Sequence, residues 1–372
     1  MKKKSQQNAS PDSWYALEGK NQDVVLSTRA SLVRNLANFP FPSILDENES
    51  ERIQSIAFDA FTFLPDAQDF HTISVDKLDE TGLRIMKERG VLLPQYEGKK
   101  AGIILRNDGK ISCSVNTYDH LLLSSFNSGS AIDEAAKSVY DLDHELQGHV
   151  QFAASYDFGY LSSSILTSGT GLLLGAKFHL PAISMLDRLS ETIRNDCSSA
   201  YNFTACYGAG GGDSVSGVAG SGTSLGAYYL VTTLTCAGGN ELEQISTMKE
   251  IIDKIIKDER LARKECKSLH LTKIKNYASR AVALARSSYF VSLRESIDII
   301  GGVKFGYDMG VISGIDDQVL HCLLYRVQEG HLEYLLANGN FKFEKDILDN
   351  KDLKIRRLRS LILQEAFEKI SQ

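Results

Sequence analysis

The chain has 372 residues, 43% hydrophobic and 24% charged, with a formal net charge of −6. That length holds a main domain plus a second, smaller one, and the composition is that of an ordinary globular protein. The acidic balance excludes a general nucleic-acid binder, which carries a basic face or stripe, and no apolar run is long enough to span a membrane.

Residues 1–13 are polar and read as a frayed tail; the MKKKSQQNAS opening has no apolar stretch of the kind a signal peptide needs. A strand is expected at Asp23–Ser27, then a turn around Phe39-Pro40-Phe41-Pro42. Glu49–Phe63 has Ile53, Ile56, Ala57, Ala60 and Phe61 at helical spacing. Ala101–Leu105 and Ile111–Val115 flank Asn107-Asp108-Gly109, a hairpin signal. Ile132–Ala154 has helical periodicity, Gly159–Gly175 reads as loops or short strands, and a helix opens near Pro181.

After Gly239 the pattern changes. Glu241–Arg263 is a charged amphipathic helix with an isoleucine stripe. Further helices are expected at Leu269–Ile300, ended by Gly301-Gly302, at Asp316–Leu336 and at Asp352–Ile370. The division expected is therefore an α+β domain over 14–240 and an all-helical one over 241–372. The six cysteines are widely spaced with no CxxC pair, as for buried reduced thiols in a cytoplasmic protein.

Two motifs invite a chemical reading and fail on spacing. Asp143-His144-Glu145…His149 suggests a zinc protease, but its histidines are five apart, which turns the second roughly 140° away on a helix. A polar helix surface is the better reading. Tyr207–Gly222 is rich in glycine but has no lysine, so it is not a phosphate loop of the Gly-Lys-Ser/Thr kind. By itself it is a flexible loop.

The stretch Val24–Asn35, VVLSTRASLVRN, carries more information. Ser27, Thr28, Arg29, Arg34 and Asn35 fit a Ser-Ser-Arg-x-Arg-x-x-Arg-Asn pattern in which Ser31 replaces the middle arginine. Further ordered blocks follow: Val115-Asn116…Asp119-His120-Leu121, Gly169-Thr170-Gly171-Leu172, His179-Leu180-Pro181, Tyr207-Gly208, Arg286-Ser287-Ser288-Tyr289 and Phe305-Gly306-Tyr307-Asp308-Met309-Gly310. Together they resemble the bacterial protein-arginine kinases of the ATP:guanido phosphotransferase superfamily.

That resemblance implies a phosphagen-kinase-like antiparallel sheet flanked by helices, then an all-helical dimerisation domain. It also implies ATP and Mg2+ as cofactors. Nucleotide contacts fall on Ser27, Thr28, Arg29, Ser31, Arg34, Tyr207 and Gly208, with Lys177 as an added cation. Phosphoryl transfer to a guanidinium needs cations on the phosphates and carboxylates to orient the acceptor and take its proton. The family's glutamates fall on Thr117, Tyr118 and Ala209, and further arginines on Leu122, Leu173 and Thr204. The cysteine of the Cys-Pro block falls on Ser164, and the phosphoarginine-binding motif near Asp352–Ser360 is replaced by a basic segment with Arg356, Arg357 and Arg359.

The expectation is a degenerate member, a binding or regulatory subunit and homodimer with protein partners such as an intact kinase paralogue. The alternative is an active protein-arginine kinase using displaced groups such as Asp119 or Asp213.

Overall fold

The computed structural model describes residues 13–92, 100–197, 199–207, 224–236 and 239–371. Its centre is an eight-stranded sheet in the order β2-β3-β4-β5-β1-β8-β10-β9, with every neighbouring pair antiparallel. The strands are β1 (Val25–Arg34), β2 (Phe70–Ser74), β3 (Gly102–Arg106), β4 (Ile111–Val115), β5 (Leu121–Ser128), β8 (Leu172–His179), β9 (Tyr201–Ala205) and β10 (Tyr228–Thr233). A separate small hairpin pairs β6 (Ala154–Ser155) with β7 (Gly159–Tyr160).

The helices are α1 (Glu47–Thr62), α2 (Glu80–Glu88), α3 (Ile132–Leu146), α4 (Pro181–Met185), α5 (Leu189–Asp196) and α6 (Glu241–Leu269). They continue as α7 (Leu271–Ser287), α8 (Leu293–Asp308), α9 (Asp317–Arg326), α10 (Glu329–Asn338) and α11 (Lys351–Ala366). Capping boxes start three of them: Asp46 with Glu49, Asn240 with Glu243, and Ser292 with Glu295. Each satisfies backbone N–H groups that the first helical turn leaves open.

One face of the sheet, carrying Ala30, Leu32, Leu123, Leu174, Ala176 and Val231, packs against α1, α3 and α6 to form the main core. A second core gathers α7–α11 around Leu26 and Tyr228. The isoleucine stripe of α6 therefore belongs to the sheet core, through Ile251, Ile252 and Ile255.

Several expected boundaries move. The first strand does not stop at Ser27 but runs to Arg34 as the sheet's central strand, and β8 begins inside the expected loop region. The helix opened at Ile132 ends at Leu146, not Ala154. The expected helix Leu269–Ile300 is broken at residues 288–292, and Gly301-Gly302 lies inside α8 and does not stop it. Those glycines are there for close approach. A Cβ on Gly301 would meet Gly226 Cα at 2.6 Å, and one on Gly302 would meet Ala281 Cβ at 2.9 Å. The expected helix Asp316–Leu336 is likewise split, at Val327-Gln328.

Sheet and helices are joined by buried charge. On α6, Arg263 pairs with Glu259 at 2.8 Å and with Asp308 at 3.3 Å, and donates to the Asp23 carbonyl at 2.8 Å. Lys304, also on α8, contacts Asp308 at 3.2 Å and Asp317 at 2.6 Å. His179, ending β8, stands 3.8 Å from the Asp308 carboxylate. Glu259 accepts from the Ala182 and Ile183 amides at 3.1 and 3.0 Å, which fixes the chain after β8.

Removing one partner of a buried ion pair leaves the other uncompensated, at a cost of about 3–5 kcal/mol. Asp308→Ala is therefore expected to destabilise by that amount in urea unfolding, because Lys304 and Arg263 would be stranded. A loss below about 1 kcal/mol, the range of an exposed pair, would refute the role assigned to the network.

Candidate functional site: the polar sheet face and the turns at its edge

In a strand alternate residues face opposite sides, and directly paired residues on neighbouring strands share a side. Arg29 pairs with Phe126 on β5 and Gly175 on β8; Ser31 pairs with Ser124 and Leu173; Ser27 pairs with Ser128 and Lys177; Val33 pairs with Leu122. Leu230 then links Lys177 to Thr204 on β9. Ser27, Arg29, Ser31, Leu122, Leu173, Lys177 and Thr204 therefore all lie on the face away from α1, α3 and α6. The structure brings together positions that the sequence scatters over almost 180 residues.

Arg29 is the guanidinium at the centre of this face. It donates from Nε to Ser31 Oγ at 2.8 Å, from Nη2 to Ser124 Oγ at 2.9 Å, and from Nη1 toward the Gly90 carbonyl at 3.5 Å. Ser31 and Ser124 are 2.9 Å apart, and the Phe126 ring centroid is 5.0 Å from the guanidinium. Burial pushes the Arg29 pKa down to about 10, which leaves it charged at neutral pH. Ser31, where the family pattern has an arginine, now serves as an acceptor for its neighbour.

Other segments cover part of the face. The chain after α2 crosses it, with Ser114 Oγ donating to the Val91 carbonyl at 2.7 Å. Trp14 stacks on Phe126 at 5.6 Å, and His321 of α9 packs edge-on to Trp14 at 5.7 Å. The Lys177 ammonium lies 5.5 Å from the Tyr207 ring and 6.0 Å from the Tyr325 ring.

Thr28 and Arg34, expected in the same cradle, point the other way. Thr28 Oγ1 donates to the Gly129 carbonyl at 3.2 Å and accepts from the Ala131 amide. Arg34 is 1% exposed and gives Nε and Nη2 to Asp143 at 2.8 and 3.2 Å. Its Nη1 goes to the Val33 and Thr170 carbonyls, and the Tyr160 ring lies 3.5 Å away. That set of partners holds Arg34 as a tie between β1 and α3. Asp143, first met in the metal-like motif, is thus its counter-ion, while His149 stacks on Phe63 beyond the helix.

The turn between β4 and β5 holds Thr117 and Tyr118, where the resemblance implies two glutamates. Tyr118 there is 60% exposed. Beside it Asp119 accepts from Asn35 Nδ2 and the Ser163 amide, both at 2.7 Å. His120 Nδ1 accepts from the Leu36 amide at 2.9 Å, so Nε2 carries the proton it donates to the Pro40 carbonyl. Burial lowers the His120 pKa, in keeping with that neutral tautomer. The Asn35…Asp119-His120 block is a clasp that holds two turns together. Ser164 Oγ accepts from the Leu166 amide at 3.3 Å. Gly208, Ala209 and Asp213 lie outside the described residues.

In the C-terminal basic segment, Arg356 pairs with Asp352 and Arg357 with Glu344. Arg359 is buried and donates to the Val327 and Val291 carbonyls at 2.8 and 3.0 Å, contacts that have no sequence signal. Arg286 likewise donates to the Phe367 and Ile370 carbonyls and closes the end of α11.

An eight-stranded antiparallel sheet flanked by helices, with this polar face, defines the phosphagen-kinase class of phosphotransferase fold. A lombricine kinase structure superposes over 65% of this chain and 68% of its own, with TM-score 0.54 and 13% identity. The duplicated taurocyamine kinase of Schistosoma mansoni matches over 72% of this chain and 40% of its own, with TM-score 0.56 and 16% identity. The family model for the ATP:guanido phosphotransferase C-terminal catalytic domain matches residues 52–262. The chain belongs to the ATP:guanido phosphotransferases. It is similar to the protein-arginine kinase of Halothermothrix orenii, 28% identical over 92% of this chain and 95% of the relative, and to that of Clostridium novyi, 27% identical over 87% and 91%.

The family is ATP-dependent, but the described face is a poor fit to a nucleotide's phosphates. It offers Arg29, already bonded to serines, and Lys177, where the resemblance calls for several guanidiniums. No strand position on it carries a carboxylate to help hold Mg2+.

Two buried imidazoles bound this region and set a pH test. Burial pushes His321 down to about 3, and burial with the nearby Lys304 and Arg263 pushes His179 down to about 4 against the pull of Asp308. Both are neutral when folded, while the unfolded chain takes up protons as pH falls below about 6.5. Their contribution is present above that pH and is lost between there and about 4, at up to roughly 1.4 kcal/mol per pH unit for each. Urea unfolding at pH 7 and 5 is expected to show this loss, reduced in His321→Phe. An unchanged pH slope in that variant would contradict the assignment.

Proposed function

We propose that this chain is a catalytically impaired relative of the protein-arginine kinases that acts as a binding or regulatory subunit. One observation carries the reading. On the sheet face where the family gathers guanidiniums, this chain has Ser31, Leu122, Leu173 and Thr204, and Tyr118 stands at a glutamate position beside it. Leu122 is 9% exposed and Thr204 8%, so these side chains fill space instead of presenting charge.

The second reading is an active kinase with a displaced carboxylate. Asp119 is the described candidate, and its Oδ1 is already taken by Asn35 and Ser163. The occupants proposed for the subunit are proteins, including an intact kinase paralogue and a second copy of this chain. Leu271, Tyr277 and Leu284 of α7 remain exposed and favour self-association through the helical half. A mass corresponding to the monomer by light scattering of the full chain would count against that.

Each charge-assisted hydrogen bond to phosphate is worth about 1.5–3 kcal/mol, and micromolar binding totals about 8 kcal/mol. ATP is therefore expected to bind in the millimolar range or weaker by calorimetry, with or without magnesium. A submicromolar Kd would overturn this.

Catalysis is expected to be undetectable when acid-labile phosphate is assayed with ATP, magnesium and an arginine-rich protein. A missing acid/base group costs about 10²–10⁴ in rate and a missing transition-state arginine about 10³–10⁵, although such losses do not multiply. Tyr118→Glu/Ala209→Glu is expected not to rescue it, because the phosphate clamp stays absent. Robust phosphorylation by the unmodified chain, abolished by Arg29→Ala, would establish the displaced-carboxylate kinase instead.

A further inference from the structure

β2 (Phe70–Ser74) is an outer strand of the sheet and pairs on one side only, with β3. At its two ends Asp69 accepts from the Asn107 amide and Val75 donates to the Ala101 carbonyl, both at 2.9 Å. Backbone groups alternate in direction along an antiparallel strand. Those of residues 69, 71, 73 and 75 therefore point at β3, and those of Phe70, Thr72 and Ser74 point outward.

Two of the outward groups are used locally. The Phe70 amide donates to the Ala67 carbonyl, and the Ser74 carbonyl opens the 3-10 turn Val75–Lys77. The Phe70 carbonyl, the Thr72 amide and carbonyl and the Ser74 amide remain, and among the described residues none bonds to them. Phe70 packs edge-on to Phe61 at 5.2 Å and Ser74 accepts from Gln54 at 3.2 Å, both on α1, yet Thr72 between them is exposed. The middle of the strand is thus open. Outer strands are normally guarded by charge, proline or a bulge. β2, Phe-His-Thr-Ile-Ser, has no charged residue and no proline, and its register with β3 is unbroken.

We propose that β2 pairs antiparallel with β2 of a second copy of this chain, about a two-fold axis at Thr72, so that the two sheets run on as one. The four free groups select both occupant and register. With Thr72 opposite the second copy's Thr72, amide and carbonyl exchange two bonds, and each Ser74 amide donates to the other copy's Phe70 carbonyl. Every free group is then satisfied. Sliding the copy by two residues either way loses half of these bonds, because the Phe70 amide and the Ser74 carbonyl are already engaged. The same axis sets the Lys77 end of one strand beside the Asp66 and Asp69 end of the other, while Asp76 is met by Lys100 of its own chain at 3.9 Å. This contact is separate from the α7 surface and stands whether or not the chain has lost catalysis.

The test is cross-linking of the full chain carrying one new cysteine. Across the axis the two Thr72 Cα atoms stand about 5.5 Å apart, within the span of a disulfide. The two His71 Cα atoms lie on a diagonal, about 7–8 Å apart and outside that span. Under mild oxidation Thr72→Cys is expected to form a dimer at least about tenfold faster than His71→Cys, with the bridge mapped to residue 72 by mass spectrometry. Both positions are exposed, so access alone does not separate them.

Thr72→Lys sets two ammonium groups face to face at the axis. It is expected to at least halve the wild-type mass by light scattering, with near-UV dichroism unchanged. Equal cross-linking at 71 and 72, or a mass that Thr72→Lys leaves unchanged, would overturn self-pairing in favour of an edge that serves an extended segment of another protein or none.

Discussion

The Asp308 carboxylate is the point on which the arrangement of this molecule turns. Burial raises the cost of its charge, yet Lys304, His179 and Arg263 more than offset this and hold its pKa below the usual range. Those partners come from α8, the end of β8 and α6, and Arg263 reaches on to the Asp23 carbonyl just before β1. The neighbouring strands β1 and β8 and the helical half are therefore located by one set of buried ions. An apolar cluster of equal volume holds such elements with comparable strength, but it does not fix their relative positions through directional bonds. The network depends on charge being matched at each site, as Glu259 is by Arg263 and by two backbone amides.

Fixing β1 against β8 and β5 also fixes which side chains share a face. On one side the strands carry the apolar residues of the main core. On the other they carry serines, leucines, Arg29 and Lys177. The two sets are interleaved in sequence and independent in space, so substitutions on one face leave the packing of the other unchanged. A chain can keep its family's sheet, register and helical frame while the polar face exchanges guanidiniums for neutral side chains. Ser31 illustrates the exchange: its hydroxyl accepts from Arg29 and meets Ser124, so the neighbouring cation stays satisfied without a phosphate.

What the sequence disclosed follows the same physics. Helices with caps and clear periodicity, such as α1 and α6, and the Asp-Gly hairpin of β3 and β4, were legible because local chemistry decides them. β1 and β8 extend beyond their sequence signal because inner strands covered on both sides lose the simple apolar alternation of a half-exposed strand. Gly301-Gly302 reads in the sequence as a helix end, yet those glycines serve contacts with Gly226 and Ala281 that only the tertiary fold creates. The resemblance supplied the site residues but grouped Thr28 and Arg34 with Ser27, Arg29 and Ser31. Strand period separates them, since even and odd positions of β1 face opposite ways. Nothing in the sequence pointed to Arg359 as a buried tie, because its charge is met by backbone carbonyls and those have no sequence signature.

Family motifs in this chain therefore divide by what their side chains touch. Asn35, Asp119 and His120 bond to one another and to adjacent turns, and Arg34 bonds to Asp143; a reaction is not needed to keep them. Asp308 and His179 meet inside the molecule for the same structural purpose. Ser31, Tyr118, Leu122, Leu173 and Thr204, the positions at which the resemblance implies arginines and a glutamate, lie on the polar face or the turn at its edge. Removing a buried ion-pair partner costs several kcal/mol of a total stability of about 5–15, whereas an exposed side chain such as Tyr118 can change at little cost to stability. For that reason a match that covers most of a chain is strong evidence of fold and weak evidence of turnover.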